Sequence, residues 1–331
     1  MKVLGLGVLA LVAFGCADPV DRAAKKRIFS PEDPPKAVAS ASQKLPPEDV
    51  ADKPEVARRV LGMGAAETTE RLGPHRYTAT STFEWQAGDK HTKLSETRTL
   101  EAGPGGVAGD FHAVLDNSHD QGLEVLRVGG QVFARNRYGK YRQRLRDRGI
   151  AEREREEVFG ALHDVDDLFL GRMKLAPQGT VGYENRTAWK YEVSLGPPAA
   201  AKPPSRLPPL AVPRQGFDDT TLRRQTFFEK REPRLLQGDV WVDAKTSVVL
   251  KSHLDGRLTV AGPSGEASLR LTLDAALADI GKDPGLKAPT EFLPDQDKPL
   301  GIAAALDRFG IPHGEKRDAG TAEEAPDDEP Q

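Results

Sequence analysis

The chain reads as a mainly β protein built on a long antiparallel meander, and three observations lead there. From Arg76 onward the apolar residues recur at every second position over several runs. Gly-rich and Asp/Gly turn signals separate those runs at short intervals. One amphipathic helix, midway along, is the main interruption.

The elements follow in order. Pro54–Thr68 reads as a short helix, with Pro in its first turn and Val56, Val60, Leu61 and Ala65 near helical spacing. Tyr77, Ala79, Ser81, Phe83 and Trp85 then share one strand face, with Thr78, Thr80, Thr82 and Glu84 on the other. Ala87-Gly88-Asp89 turns into Lys90–Glu101, a strand polar on both faces, and Gly103-Pro104-Gly105-Gly106 breaks the chain before Val107–Leu115. Leu123–Val128 and Gln131–Arg137 flank Gly129-Gly130, a two-residue hairpin signal. Tyr141–Arg146 follows a turn at Tyr138-Gly139. Ala151–Phe169 is the interrupting helix, with Val158, Leu162, Val165 and Phe169 as its core-facing stripe and glutamates in its first turns, where the helix dipole favours them.

Strands resume at Val181–Asn185 and Thr187–Leu195, where Trp189, Tyr191, Val193 and Leu195 share a face. Gly196–Gly216 is a Pro-rich insertion without core residues, read as a polyproline-like loop. Leu222–Lys230 and Leu235–Asp243 are further strand candidates. Val248–Leu254 and Arg257–Ala261 surround Asp255-Gly256, a second hairpin signal, and Ala267–Ala275 ends the set with Leu269, Leu271 and Leu273 on one face.

The two ends are different in kind. Lys2, an apolar run over Val3–Phe14 and Ala13-Phe14-Gly15-Cys16 have the charge, apolar and small-residue order of a secretory signal, too short to span a membrane comfortably. With one cysteine in the chain, no internal disulfide can form. Residues 16–53 carry six prolines among Ala, Ser and charged residues and read as a disordered tether. The domain then spans 54–281, and 282–331 reads as a mostly disordered tail with a possible short helix over Pro299–Phe309 and an acidic end. Net charge is −3, which points to neither a nucleic-acid binder nor a polybasic membrane protein.

Chemistry is sparse. The seven histidines make no metal-ligand spacing, and no nucleophile elbow, phosphate loop or dinucleotide fingerprint occurs, so no enzyme, metal or cofactor is expected. Asp164, Asp166 and Asp167 read as a solvated helix face. Arg142, Arg144 and Arg146 recur at every second residue and are candidates for phosphate or lipid headgroups, or else partners of the acidic helix that follows. Phe83, Trp85, Trp189, Tyr191 and Trp241 stand on strands. They are core in a flat two-layer protein, or the lining of a cavity if the sheet is strongly curled.

Two resemblances bear on that choice. The signal ending at Cys16 resembles the lipobox of bacterial lipoproteins, with Ala13 where Leu is usual. That likeness implies cleavage before Cys16, diacylglyceryl attachment to its thiol and further acylation such as palmitate. Gly238-Asp239-Val240-Trp241-Val242-Asp243, followed by Thr246 and Val248–Lys251, together with the order helix, meander, helix, meander, resembles the LolA/LolB and LppX-type half-barrel carriers. The resemblance implies a strongly curved antiparallel sheet, with one or two helices packed on the concave side. It also implies an apolar ligand, a lipid or acylated protein, on that side, and a place in the cell envelope at the outer membrane facing the periplasm. A lipid anchor makes such a protein a receiver or presenter, not a free shuttle. The other reading is a non-catalytic interaction lipoprotein that engages a protein through its Pro-rich loop or acidic tail.

Overall fold

A computed structural model describes residues 45–145, 149–198, 227–262 and 265–295. Cys16, Arg146, most of the Pro-rich insertion and the chain beyond 295 lie outside the described residues. The strands are β1 (His75–Ala87), β2 (Lys90–Ala102), β3 (Phe111–Asn117), β4 (Gly122–Val128), β5 (Gln131–Asn136), β6 (Tyr141–Arg144), β7 (Met173–Tyr183), β8 (Arg186–Leu195), β9 (Arg231–Asp243), β10 (Val249–Gly262), β11 (Gly265–Ala278) and β12 (Phe292–Leu293). They form a 12-stranded sheet in the order β12-β6-β5-β4-β3-β2-β1-β11-β10-β9-β8-β7. Every pairing is antiparallel except that of β12 with β6.

The sheet is an open half-barrel. The first and last strands of the long meander, β1 and β11, pair at its centre, which sends β6 and β7 to opposite edges. The chain has to cross from one edge to the other, and it does so through α3 (Ile150–Phe159) and α4 (Ala161–Leu168). α3 lies against β2, β3 and β4, and α4 against β11. Two further helices, α1 (Pro54–Leu61) and α2 (Ala65–Leu72), precede β1 and add Val60, Leu61 and Ala65 to the same core.

Alternation decides which face is covered. Ala267, Leu269, Leu271, Leu273, Ala275 and Leu277 of β11 are all buried on the helix side. On the outer face of the same strand Arg270 and Asp274 pair with Asp255 and His253 of β10. Full burial of a side chain such as Leu273 stabilises the fold by about 1.5–3 kcal/mol. At Gly129-Gly130 both residues have positive φ (57° and 76°), the pattern of a type I′ hairpin turn.

Several boundaries depart from the sequence expectation. Asp255-Gly256 is not a hairpin: β10 runs through it unbroken from Val249 to Gly262. The glycine is required for space, because a Cβ there would lie 2.3 Å from Cζ of the buried Phe169. The single helix expected over Ala151–Phe169 is divided at Gly160 into α3 and α4, and the one expected over Pro54–Thr68 is divided at Gly62–Gly64. Of the strand candidate Leu222–Lys230, residues 227–230 form a helical turn and the rest lies outside the described residues.

Both ends of the domain extend further than the composition suggests. Residues 47–50, inside the range read as tether, form a 3-10 turn with Pro47 and Val50 buried. Tyr191 donates its hydroxyl to Pro47 O, and Ser247 donates to Leu45 O. On the other side, residues 281–291 lead from β11 to β12, seven strand spacings or about 34 Å along the sheet. At ~3.3–3.6 Å per residue that segment crosses nearly extended. It ends with Phe292 edge-on to Phe133, ring centroids 5.0 Å apart.

Gly256→Ala is expected to overpack the contact with Phe169 and lower stability by about 1–3 kcal/mol. Urea unfolding should show a lower midpoint with an unchanged slope.

Candidate functional site

Among the described residues the concave face is filled along much of its length, and a space remains along α4. The described residues line a half-open cavity of about 270 Å³ between α4, β1 and β2, formed by Ser81, Phe83, Arg98, Ala161, Asp164, Val165, Asp167, Leu168, Phe228 and Arg231. Phe83, Ala161, Val165, Leu168 and Phe228 make its surface mostly apolar. The helix contributes one stripe, because 161, 164, 165 and 168 are neighbours on a 3.6-residue turn. β1 contributes the alternate residues 81 and 83 of its inward face.

Each end of the cavity is held by a guanidinium. Arg98, on the inward face of β2, donates from Nε to Glu96 (2.7 Å) and from Nη1 to Asp164 and to Glu157 O (both 2.8 Å). This clamp joins α3 and α4 to the sheet. At the other end Arg231 donates from Nε to Leu168 O (3.0 Å), from Nη2 to Asp167 O (3.1 Å), and from Nη1 to Phe228 O. Two of those carbonyls belong to the end of α4, where a cation is favoured by the helix dipole. Burial depresses the Arg231 guanidinium below its ordinary range, against the pull of Asp167. Asp164, with a side chain 52% exposed, marks the rim.

A second, smaller space of about 30 Å³ lies beyond Ala161, lined in part by Thr68, Tyr77, Gly160, His163 and Ser252. The buried hydroxyls of Thr68 and Ser252 have no hydrogen-bond partner among the described residues. The space matches about one water molecule.

The five aromatics singled out from the sequence do not share one pocket. Phe83 lines the cavity, and the half-buried Trp85 follows it on β1, edge-on to Phe227 at 5.9 Å. Trp189 and Tyr191 share the inward face of β8, four strand spacings or about 19 Å away. Tyr191 is wholly buried there under the N-terminal turn. Trp241 lies on the outer face, a correction to its expected place. Its neighbours Val240 and Val242 point inward and are fully buried, and its own ring lies between the ammonium groups of Lys190 (5.4 Å) and Lys251 (5.0 Å).

The basic row is also divided. Arg135 and Arg137, on the outer face, pair with Glu124 and with Asp116 and Asp120. Arg142 and Arg144 fall on the inward side of the β6 edge, opposite Ala134 and Val132, and both are exposed.

The motif Trp241-Val242-Asp243 with Thr246 has a structural task. Asp243 accepts from Lys245 N (2.8 Å), Thr246 N (2.7 Å) and Thr246 Oγ1 (3.0 Å), and receives Arg186 on its second oxygen. These bonds hold the carboxyl below its ordinary range in spite of burial. The turn so fixed accepts Arg71 from α2 at Thr246 O and, through Ser247, docks Leu45.

Of the residues around the cavity, only Phe83 was marked from sequence as a ligand contact. Val165 was visible in the helix stripe but read as core, and Asp164 and Asp167 as a solvated face. Arg98 had no signal, since a buried arginine on a polar-looking strand cannot be told from an exposed one.

No protein-family model and no curated protein matches the chain. Three solved structures align along much of it. A DUF1329 family protein from Desulfovibrio piger is 11% identical, over 72% of this chain and 96% of that one, at a TM-score of 0.22. The lipoprotein LppX from Mycobacterium tuberculosis is 8% identical, over 68% and 98%, at a TM-score of 0.23. A domain described as an outer membrane lipoprotein-sorting protein, from Vibrio parahaemolyticus, is 8% identical, over 68% and 94%, at a TM-score of 0.18. Two of the three carry the LppX and lipoprotein-sorting descriptions of the carriers that the sequence resembles. At such identities and scores the fold rests on the strand order, register and burial described above.

Beside the cavity, Asp166 is buried and its carboxyl is pushed up to about 6, chiefly by desolvation, against a hydrogen bond from Met173 N–H. Its folded value is raised above the unfolded one, so the group weakens the fold above pH ~6 and costs nothing below pH ~4. Asp166→Asn is therefore expected to raise the melting temperature at pH 7.5, with the gain vanishing near pH 4.

Proposed function

We propose that the chain is a membrane-anchored envelope lipoprotein whose half-barrel binds an apolar ligand, a lipid or the acyl group of another protein, as a receiver or presenter. The observation that carries this reading is the cavity at Phe83, Val165, Leu168 and Phe228, an apolar space of about 270 Å³ left between helix and concave sheet. It is close to the lower end of ordinary small-molecule sites. In a well-packed core of this size, helix and sheet side chains would interdigitate and leave no such volume.

The position of the cavity favours a presenter held by its N-terminus. The described chain begins at Leu45, docked at the β9–β10 turn beyond the Leu277 end of β11. The cavity lies level with Leu273 and Leu271, about 20 Å along the strands. A tether from Cys16 would thus join the domain away from the cavity, and diacylated Cys16 would hold it on the membrane stably.

A second reading draws on the filled part of the concave face, where Leu250, Leu254, Leu258, Leu271, Leu273 and Leu277 are fully buried. On that reading the domain is a rigid, non-catalytic module that engages a protein through Gly196–Gly216 or the tail 282–331.

The test is organic extraction and mass spectrometry of protein purified without detergent exchange. Lipid in near-stoichiometric amount is expected, and Val165→Phe, which narrows the cavity, should lower the amount while the circular dichroism spectrum stays unchanged. An empty protein, together with a partner lost on deletion of Gly196–Gly216, would establish the second reading instead.

A further inference from the structure

The dimensions of the cavity limit the ligand, an inference that rests on the binding role proposed above. The space runs along one face of α4. Ala161 and Asp164 line one end, and Leu168 and Phe228 the other. Seven helical rises separate Ala161 from Leu168, about 10 Å.

Neither end yields readily to a longer chain. At the first, Arg98 is bonded at once to Glu96, Asp164 and Glu157 O, and only 9% of it is exposed. Beyond it Ala79 and Ala161 are buried, which separates the cavity from the small space at Tyr77 and Gly160. At the second, the Arg231 guanidinium is tied to three carbonyls in succession. A methylene pushed into either group would break several part-buried hydrogen bonds at once, each at a cost. The side walls are also fixed, since Phe83 stands on β1 and Val165 on α4.

Volume gives the same limit independently. An apolar cavity of about 150 Å³ holds one benzene ring. The 270 Å³ here corresponds on that scale to about ten or eleven carbon atoms. That is one alkyl chain of middle length, and it excludes a pair of chains side by side.

We infer that the Arg98–Asp164 clamp and the Arg231 clamp make this cavity a molecular ruler, selecting a single unbranched alkyl chain of about eight to eleven carbons. Diacyl lipids and long-chain acyl groups could enter only by one chain end, with the remainder outside.

The experiment uses the full chain carrying Cys16→Ser, so that the protein's own acyl groups do not compete, and the straight-chain 1-alkanols from hexanol to hexadecanol as probes in titration calorimetry. Affinity should rise about fourfold for each added carbon, the equivalent of about 0.8 kcal/mol per methylene. It should level off or fall beyond undecanol. Val165→Ala and, separately, Leu168→Ala should move the break to longer chains, while Val165→Phe should move it to shorter ones. Two variants of opposite sign guard against a change that merely loosens the fold. A rise that continues unbroken to hexadecanol would overturn the ruler and leave the binding role standing. Binding of no alkanol at all would overturn both.

Discussion

The structure depends on one topological constraint. Because β1 and β11 pair at the centre of the sheet, the strands between them in sequence end at opposite edges, and the chain must cross the concave face to continue. α3 and α4 are that crossing. An antiparallel sheet this wide cannot leave its inward leucines in water, and the crossing helices cover them. The space along α4 lies at the same crossing, between the helix and Phe83 of β1.

Buried arginines convert that covering into a fixed arrangement. Arg127 and Arg155 both lie over the Phe111 ring, 5.1 and 5.2 Å from its centroid, and both donate to Val107 O. Arg127 also pairs with Glu152 of α3. Glu156 of the same helix accepts from Ala65 and Ala66 N–H at the start of α2, both at 2.8 Å. Charges so deep in a protein contribute little net stability, and their directional bonds are better suited to selecting one packing over another. Here the packing selected is the angle at which α3 and α4 cross, and therefore the width of the cavity.

The edges of the sheet are handled differently on the two sides. β7 carries Pro177 and a register shift between Pro177 and Gly179, devices that discourage pairing with another chain. β6 is covered by β12, at the end of the extended segment 281–291, with Phe292 over Phe133. Arg142 and Arg144 remain exposed beside this edge.

Sequence by itself determined the local part of this protein. The period-two runs of β1, β8 and β11, the hairpin at Gly129-Gly130 and the stripe Val158, Leu162, Val165 and Phe169 are local patterns, so they were legible with nothing else in hand. Tertiary structure decided what no local pattern encodes. Gly256 resembles a turn residue, yet it is an opening in a strand made for Phe169, which arrives from another element. Trp241 resembles Trp189, yet a strand's two faces are equivalent until its neighbours assign one to the core. The polar residues at the cavity were least legible, because an arginine on β2 and an aspartate on α4 become a clamp only when a long-range crossing places them 2.8 Å apart.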